Sequence, residues 1–231
     1  MPTVILARHG RTTANATGVL AGRSAGVHLD AIGIAQAKAA AARLSGLELA
    51  AVVTSPLARC RETARLLVPG VTPRGDAGLT ECDYGSWSGR PLAELTQEAE
   101  WAQVQSHPAG VTFPGGESMA KMSARAVNAM RDWDRRIGDS HGNDAVWLAV
   151  SHGDIIKAIV ADALGMHLDA FQRLVIDPAS LSVIRYQSSR PFVLAVNTGA
   201  GDLGMLQATK PGAANEDAAV GGGIGALQAT D

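Results

Sequence analysis

Two short stretches of the chain carry the same arrangement of reactive residues. Leu6-Ala7-Arg8-His9-Gly10 and Ala149-Val150-Ser151-His152-Gly153 each lead an apolar run into a histidine followed by a glycine. An imidazole titrates at about 6.5, so near neutral pH one ring nitrogen keeps a lone pair for use as a base or nucleophile. The glycine behind it lets backbone approach a ligand. Arg8 stands beside the first histidine, and Arg59 follows a third apolar run that ends at Thr54. Two guanidiniums and two imidazoles gathered in one place would repel one another without an anion among them. Phosphate is the natural occupant, because its oxygens match the guanidinium fork. Arg61 and Arg65 read instead as solvated helix residues.

Other chemistries lack their residues. His9, His28, His107, His141, His152 and His167 show neither HxH nor HExxH spacing, and Cys60 and Cys82 form no CxxC pair, so no metal site is expected. No GxxxxGKS or GxxxxGKT loop and no GxSxG elbow is present. Histidine, arginine and a carboxylate are left to do the work, without a cofactor.

Those residues need a scaffold that brings strand ends together. Short apolar runs at Thr3–Ala7, Ala51–Thr54, Ala145–Ser151, Leu181–Tyr186 and Phe192–Val196 read as strands, with a weaker candidate at Val71–Arg74. Their continuous hydrophobicity suits strands covered on both faces. Helical patterns lie between them. Ala31–Leu44 puts Ile32, Ala35, Ala39 and Ala42 on one stripe, Pro56 opens a helix through Leu67, and Asp154–Leu164 stops at Gly165. The longest helix spans about Glu117–Ile137 and buries Met119, Met122, Ala126, Met130, Trp133 and Ile137. The alternation predicts an α/β fold: a three-layer sandwich whose largely parallel central sheet has helices on both faces. Ligands of such sheets bind beyond the carboxyl ends of the strands, where both histidines fall. The glycine- and proline-rich stretch Gly75–Gly116 breaks the rhythm, holds one short helix after Pro91, and is expected to form a flap beside the site.

Composition narrows the class. The 231 residues are 46% hydrophobic and 18% charged, enough apolar material for one buried core. A net charge of −2 with 4% aromatics offers neither a basic stripe nor stacking platforms for nucleic acid. No apolar run approaches the roughly 20 residues needed to span a bilayer, and Arg8 interrupts the first apolar stretch too early for a signal peptide. The expectation is a cytoplasmic protein with no membrane or nucleic-acid partner, and homo-oligomerisation stays open. Residues 1–198 read as one domain. Residues 199–231 read as a Gly/Ala-rich tail in which GMLQATK at 204–210 recurs imperfectly as GALQATD at 225–231.

The ordered set of motifs resembles the histidine phosphatase superfamily, in the branch that includes cofactor-dependent phosphoglycerate mutase. Arg8-His9-Gly10 is followed by Thr12, Thr13 and Asn15, then by Leu29-Asp30, Gly33, Gln36 and Ala37. Ser55-Pro56-Leu57-Ala58-Arg59 with Thr63-Ala64, Glu81, Tyr84-Gly85-Ser86-Trp87-Ser88-Gly89, Phe113-Pro114-Gly115-Gly116-Glu117-Ser118 and Ser151-His152-Gly153-Asp154 continue it in order. The whole chain looks like actinobacterial members described as phosphomutases or acid phosphatases. The resemblance implies that His9 attacks phosphorus and carries a transient phosphoryl group. It implies that Arg8, Arg59 and His152 hold the phosphoryl oxygens, with Asn15 and the Gly153 backbone assisting, and that Gly10, Ala21 and Gly22 lie along the substrate. Glu81 would protonate the leaving oxygen and then activate water or a second acceptor.

Departures from the pattern are local. Ala21-Gly22 stands where many members have Gln-Gly, and Thr12-Thr13 replaces a glutamate-led pair. Mutases of this branch carry a long basic insertion after the glutamate, whereas here the only basic side chains between Arg90 and Arg125 are His107 and Lys121. The expected activity is therefore hydrolysis of small phosphate monoesters, with mutase-type phosphoryl transfer as the alternative and a silent phosphate-binding protein as a third.

Overall fold

The computed structural model describes residues 2–199 and 220–222. Six strands form one sheet: β1 (Thr3–Arg8), β2 (Leu49–Thr54), β3 (Arg74–Gly75), β4 (Val146–Ser151), β5 (Leu181–Arg185) and β6 (Phe192–Thr198), in the order β3-β2-β4-β1-β5-β6. The pairings β1–β4, β2–β4 and β2–β3 are parallel, while β5 runs antiparallel to both β1 and β6. The sheet is thus largely parallel, as the alternating pattern predicts. The weak candidate at Val71–Arg74 shrinks to the two residues of β3, since Pro73 has no N–H for a ladder.

Both faces of the sheet are covered. Val4 and Leu6 of β1 and Trp147 and Ala149 of β4 belong to one buried cluster, with Met122, Met130, Ile156 and Ile159. Ile5, Ala7, Leu148 and Val150 point the other way, into a smaller cluster with Ala40, Cys60, Ala64 and Leu67. The strand period of two distributes the side chains between the layers. Helices α6 (Met119–His141) and α7 (Gly153–Ala163) cover the first face, and α2 (Ala31–Arg43) and α3 (Ala58–Leu67) the second.

Three helix readings need correction. In α2 the buried residues are Gly33, Ala37 and Ala40, not the stripe through Ile32, Ala35, Ala39 and Ala42. A helix rich in alanine has little contrast between its faces. What fixes its rotation is close approach at Gly33, where a Cβ would sit 2.0 Å from the Arg11 carbonyl oxygen. Helix α3 begins at Ala58 rather than at Pro56, with Leu57 as an N-cap that has no side-chain bond. The Ser55 hydroxyl that would cap an earlier start is engaged 2.8 Å from His152 Nε2. Helix α6 starts at Met119 on a Ser118 cap and continues past Ile137 to His141, where Gly142 takes φ +86°. Trp133 lies only half-buried on it.

The excursion between β3 and α6 holds α4 (Leu92–Leu95), the short helix expected after Pro91, and also α5 (Trp101–Ser106). Helix α5 forms because Trp101 and Val104, three residues apart, bury one face, with Trp101 stacked on Trp87 at 6.2 Å. A one-turn helix of four residues, α1 (Thr13–Ala16), follows β1 on a reciprocal Thr12/Asn15 cap. Most of the tail expected over 199–231 lies outside the described residues, but Val220–Gly222 is described and packs on the body of the protein.

Candidate active site

Register places the two histidines. Arg8 pairs with Ser151 across β1 and β4, so the residues that follow them, His9 and His152, leave adjacent parallel strands side by side. Their rings lie edge to face with centroids 5.2 Å apart, and both are buried. Gly10 lets the chain turn against α2, since a Cβ there would meet the Gly33 carbonyl oxygen at 2.4 Å.

Hydrogen bonds fix the imidazole tautomers. His9 Nδ1–H donates to the Gly10 carbonyl at 2.8 Å, which leaves Nε2 with the lone pair. Arg59 can only donate, and its Nε–H points at that Nε2 from 3.3 Å. Arg59 Nη2 donates to the Gly22 carbonyl at 2.8 Å and to His152 Nδ1 at 3.2 Å, so His152 turns its Nε2–H toward the Ser55 hydroxyl. One guanidinium thus touches both histidines. Burial, followed by the Arg59 and Arg8 charges, holds His9 well below the ordinary histidine pKa. Burial and Arg59 do the same to His152. Both rings are neutral, and each turns its unprotonated nitrogen toward Arg59.

Glu81 completes the cluster. Its Oε2 lies 3.8 Å from His152 Nδ1, and its Oε1 accepts from the Cys82 amide at 2.9 Å. Burial, then the nearby Asp154 charge, pushes its pKa up to about 7. A carboxyl there holds a proton near neutral pH and can release it, as an acid catalyst requires. The loop carrying it is clamped, because Arg23 Nε and Arg125 Nη2 both donate to the Glu81 carbonyl, at 2.9 and 3.0 Å. Glu117 receives both guanidiniums at 2.8 and 2.6 Å.

A pocket opens over this cluster. His9, Asn15, Ala21, Gly22, Arg59 and Glu81 line it, along with Thr12, Ala14, Val19, Leu20, Tyr84, Leu92 and Val220. Of the residues expected along the substrate, Arg8, Gly10, His152 and Gly153 are not among those lining it. His152 backs the pocket through Arg59. Gly10 donates its N–H to Thr63 Oγ1 at 3.1 Å, and Gly153 is the first residue of α7. The Arg8 guanidinium is buried and donates to the carbonyls of Ile176 at 2.7 Å and Gly221 at 3.3 Å. Burial lowers its pKa to about 10, which leaves it charged at neutral pH.

Three residues around the site were quoted in the sequence motifs but given no role there. Asp154, buried at the start of α7, accepts from the Tyr84 hydroxyl at 2.7 Å and from the Gly221 amide at 3.1 Å. It closes the Ser151-His152-Gly153-Asp154 motif, which gave it no part to play. Ser55 and Thr63, quoted with Arg59 in the same resemblance, meet His152 Nε2 and the Gly10 N–H. Among the described residues, no group of three or more His, Cys, Asp or Glu could hold a metal ion.

Comparison with known proteins gives the family. The chain is 33% identical over 209 residues to the probable phosphoglycerate mutase GpmB of Yersinia pestis (strain Pestoides F), covering 88% of this chain and 94% of that protein. It superposes on YhfR of Bacillus stearothermophilus with a TM-score of 0.76 and 26% identity, over 84% of this chain and 96% of the other. A mycobacterial glucosyl-3-phosphoglycerate phosphatase, solved with VO3, gives a TM-score of 0.75 at 26% identity, over 85% and 99% of the two chains. The description of the histidine phosphatase superfamily (branch 1) matches residues 4–199, and this chain belongs to that family.

Proposed function

We propose that the chain is a phosphomonoesterase that works through a phosphoryl group on His9. The observation that carries this reading is the His9 tautomer: a buried neutral imidazole lining the pocket, its unprotonated Nε2 held against Arg59, beside a carboxyl that keeps its proton to about pH 7. His9 Nε2 attacks phosphorus and the ester P–O bond breaks. Glu81 gives its proton to the departing oxygen. Water then attacks the phosphoryl-histidine, Glu81 takes its proton, the P–N bond breaks and inorganic phosphate leaves. Arg59 lies where charge on the transferring oxygens develops, and Arg8 and His152 support it from behind, with Asn15 and Gly22 at the wall.

Mutase-type transfer is the second reading, favoured by the likeness to a probable phosphoglycerate mutase. Against it stands the pocket itself, in which Arg59 is the one lining guanidinium among the described residues. The cytoplasm is the compartment we propose, because Cys60 and Cys82 are buried free thiols, the form a reducing compartment maintains. Among the described residues, no helix is long and apolar enough to cross a membrane.

The test is a phosphate-release screen over aryl, sugar and glycerate phosphates, repeated as a mutase assay with 2,3-bisphosphoglycerate present. Labelled substrate quenched without acid should leave an acid-labile, base-stable adduct on the wild type and none on His9→Ala. Release without isomerisation supports the phosphatase. Isomerisation exceeding release supports the mutase, and neither activity would leave a phosphate-binding protein.

A further inference from the structure

The pocket over the phosphate cradle is lined by hydrocarbon as well as by charged groups. Val19, Leu20, Leu92 and Val220, with Ala14 and Ala21, form the wall where the alcohol half of an ester must sit. This wall is tied together by backbone bonds. Leu20 N donates to Arg90 O at 2.9 Å, Gly89 N to Leu20 O at 2.7 Å, and Leu92 N to Gly18 O at 2.7 Å, with Val19 bridged to Pro91. Val220 is buried against it, and the next residue, Gly221, is held by Asp154.

Two polar side chains bordering the wall are already engaged. Tyr84 gives its hydroxyl to Asp154, and the Thr12 hydroxyl donates to Asn15 Oδ1 at 2.8 Å. Cations in the surrounding loops are matched with carboxylates: Arg11 with Asp30 at 2.8 Å, Arg23 with Glu117 at 2.8 Å, and Arg90 with Glu98 at 2.6 Å. Glu81 also faces the pocket, and once it has released its proton it repels any anion on the leaving group. A substrate carrying a carboxylate would have to strip that group of water and, among the described residues, find no cation lining this wall to receive it.

We propose that the esters this chain takes are phosphate monoesters of uncharged, apolar alcohols, and that a second anionic group on the alcohol is selected against. The proposal rests on the phosphatase reading and names the substrate class of the same pocket. It separates this chain from proteins that act on phosphoglycerates, whatever their shared cradle.

The experiment compares esters of primary alcohols, so that leaving-group chemistry is matched. kcat/KM is measured on methyl, ethyl, propyl and butyl phosphate, and on 3-phosphoglycerate and phosphoserine. Each added methylene that reaches the wall should raise kcat/KM roughly three- to fourfold, the worth of burying one CH2. Butyl phosphate should exceed both carboxylated substrates by at least about tenfold, the lower bound for discrimination in an apolar pocket. Leu92→Arg, which puts a guanidinium on the wall, should narrow the ratio of butyl phosphate to 3-phosphoglycerate. A flat alkyl series, a carboxylated ester that equals butyl phosphate, or a ratio unmoved by Leu92→Arg would overturn the substrate class while leaving phosphatase chemistry standing. Loss of all turnover on every ester, in wild type and His9→Ala alike, would overturn both.

Discussion

At the scale of single residues, the site divides its labour by protonation state. His9 and His152 are kept neutral by burial beside guanidiniums, while Glu81 is kept protonated by burial beside Asp154. The same two causes, desolvation and neighbouring charge, push the groups toward the forms that nucleophile and acid need. The consequence has a definite sign. Phosphoryl transfer from an alkyl ester needs the Glu81 proton, so kcat/KM should fall as pH rises through about 7. His9, held well below 6.5, should impose no acid limb near neutrality. Glu81→Gln should lower kcat on alkyl esters by roughly 10²–10⁴, the usual worth of a general acid. It should also flatten the decline above pH 7. The loss should be smaller for nitrophenyl phosphate, whose leaving group departs without a proton. An equal loss on both substrates, or an unchanged pH profile in the variant, would make Glu81 a binding residue. The cradle draws its positive charge from arginine, so EDTA should leave all these rates unchanged.

At the scale of elements, the site depends on how closely α2 approaches the turn after β1. Gly10 and Gly33 face each other there, and a Cβ on Gly33 would lie 2.0 Å from the Arg11 oxygen and 2.7 Å from its nitrogen. Both obstacles are backbone, so neither can swing aside. Gly33→Ala should push α2 outward, cost about 1–3 kcal/mol as overpacking does, and lower kcat more than a surface helix substitution of equal stability cost. Urea unfolding and kcat measured together check this, and an alanine variant with wild-type stability and rate would sink the idea of a tight seat. That contact also shows where the sequence was legible. The strands carrying His9 and His152 announce themselves, because each is a continuous apolar run ending in the same histidine-glycine pair. Arg59 followed from its place after β2. The face of α2 was not legible, since in a run of alanines the hydropathy pattern has no amplitude and a backbone contact decides the rotation. Helix α5 was missed because two buried residues, Trp101 and Val104, are too few to establish a period. Glu81 and Asp154 entered through family resemblance, whereas the hold of Asp154 on Tyr84 and Gly221 and the apolar wall are products of tertiary packing that local spacing does not encode.

At the scale of the whole molecule, the core holds a second carboxyl outside the site, and it makes stability depend on pH. Asp134 of α6 is buried against β4, where the Trp147 indole N–H faces it without closing a hydrogen bond. Burial raises its pKa from 3.8 to about 6. Between those values the unfolded chain has released its proton while the folded chain retains it, so rising pH favours unfolding across that window and has no further effect above it. Glu81 contributes with the same sign between 4.5 and about 7. Acid catalysis and core burial therefore both make the fold less stable as pH approaches neutrality. Asp134→Asn removes one of the two contributions and leaves the site alone. Any pH-independent cost of burying the amide cancels when the variant is compared with wild type across pH. A shift of one pKa unit corresponds to about 1.4 kcal/mol. The stability difference, variant minus wild type, should therefore move in the variant's favour by about 1–2 kcal/mol between pH 4.5 and 7.5, most of it below pH 6. Urea midpoints at four or five pH values would show it, with phosphate release at pH 7 unchanged as the control. A stability difference that stays constant over that range would mean that Asp134 is ionised inside the fold, its charge met by the Trp147 N–H after all.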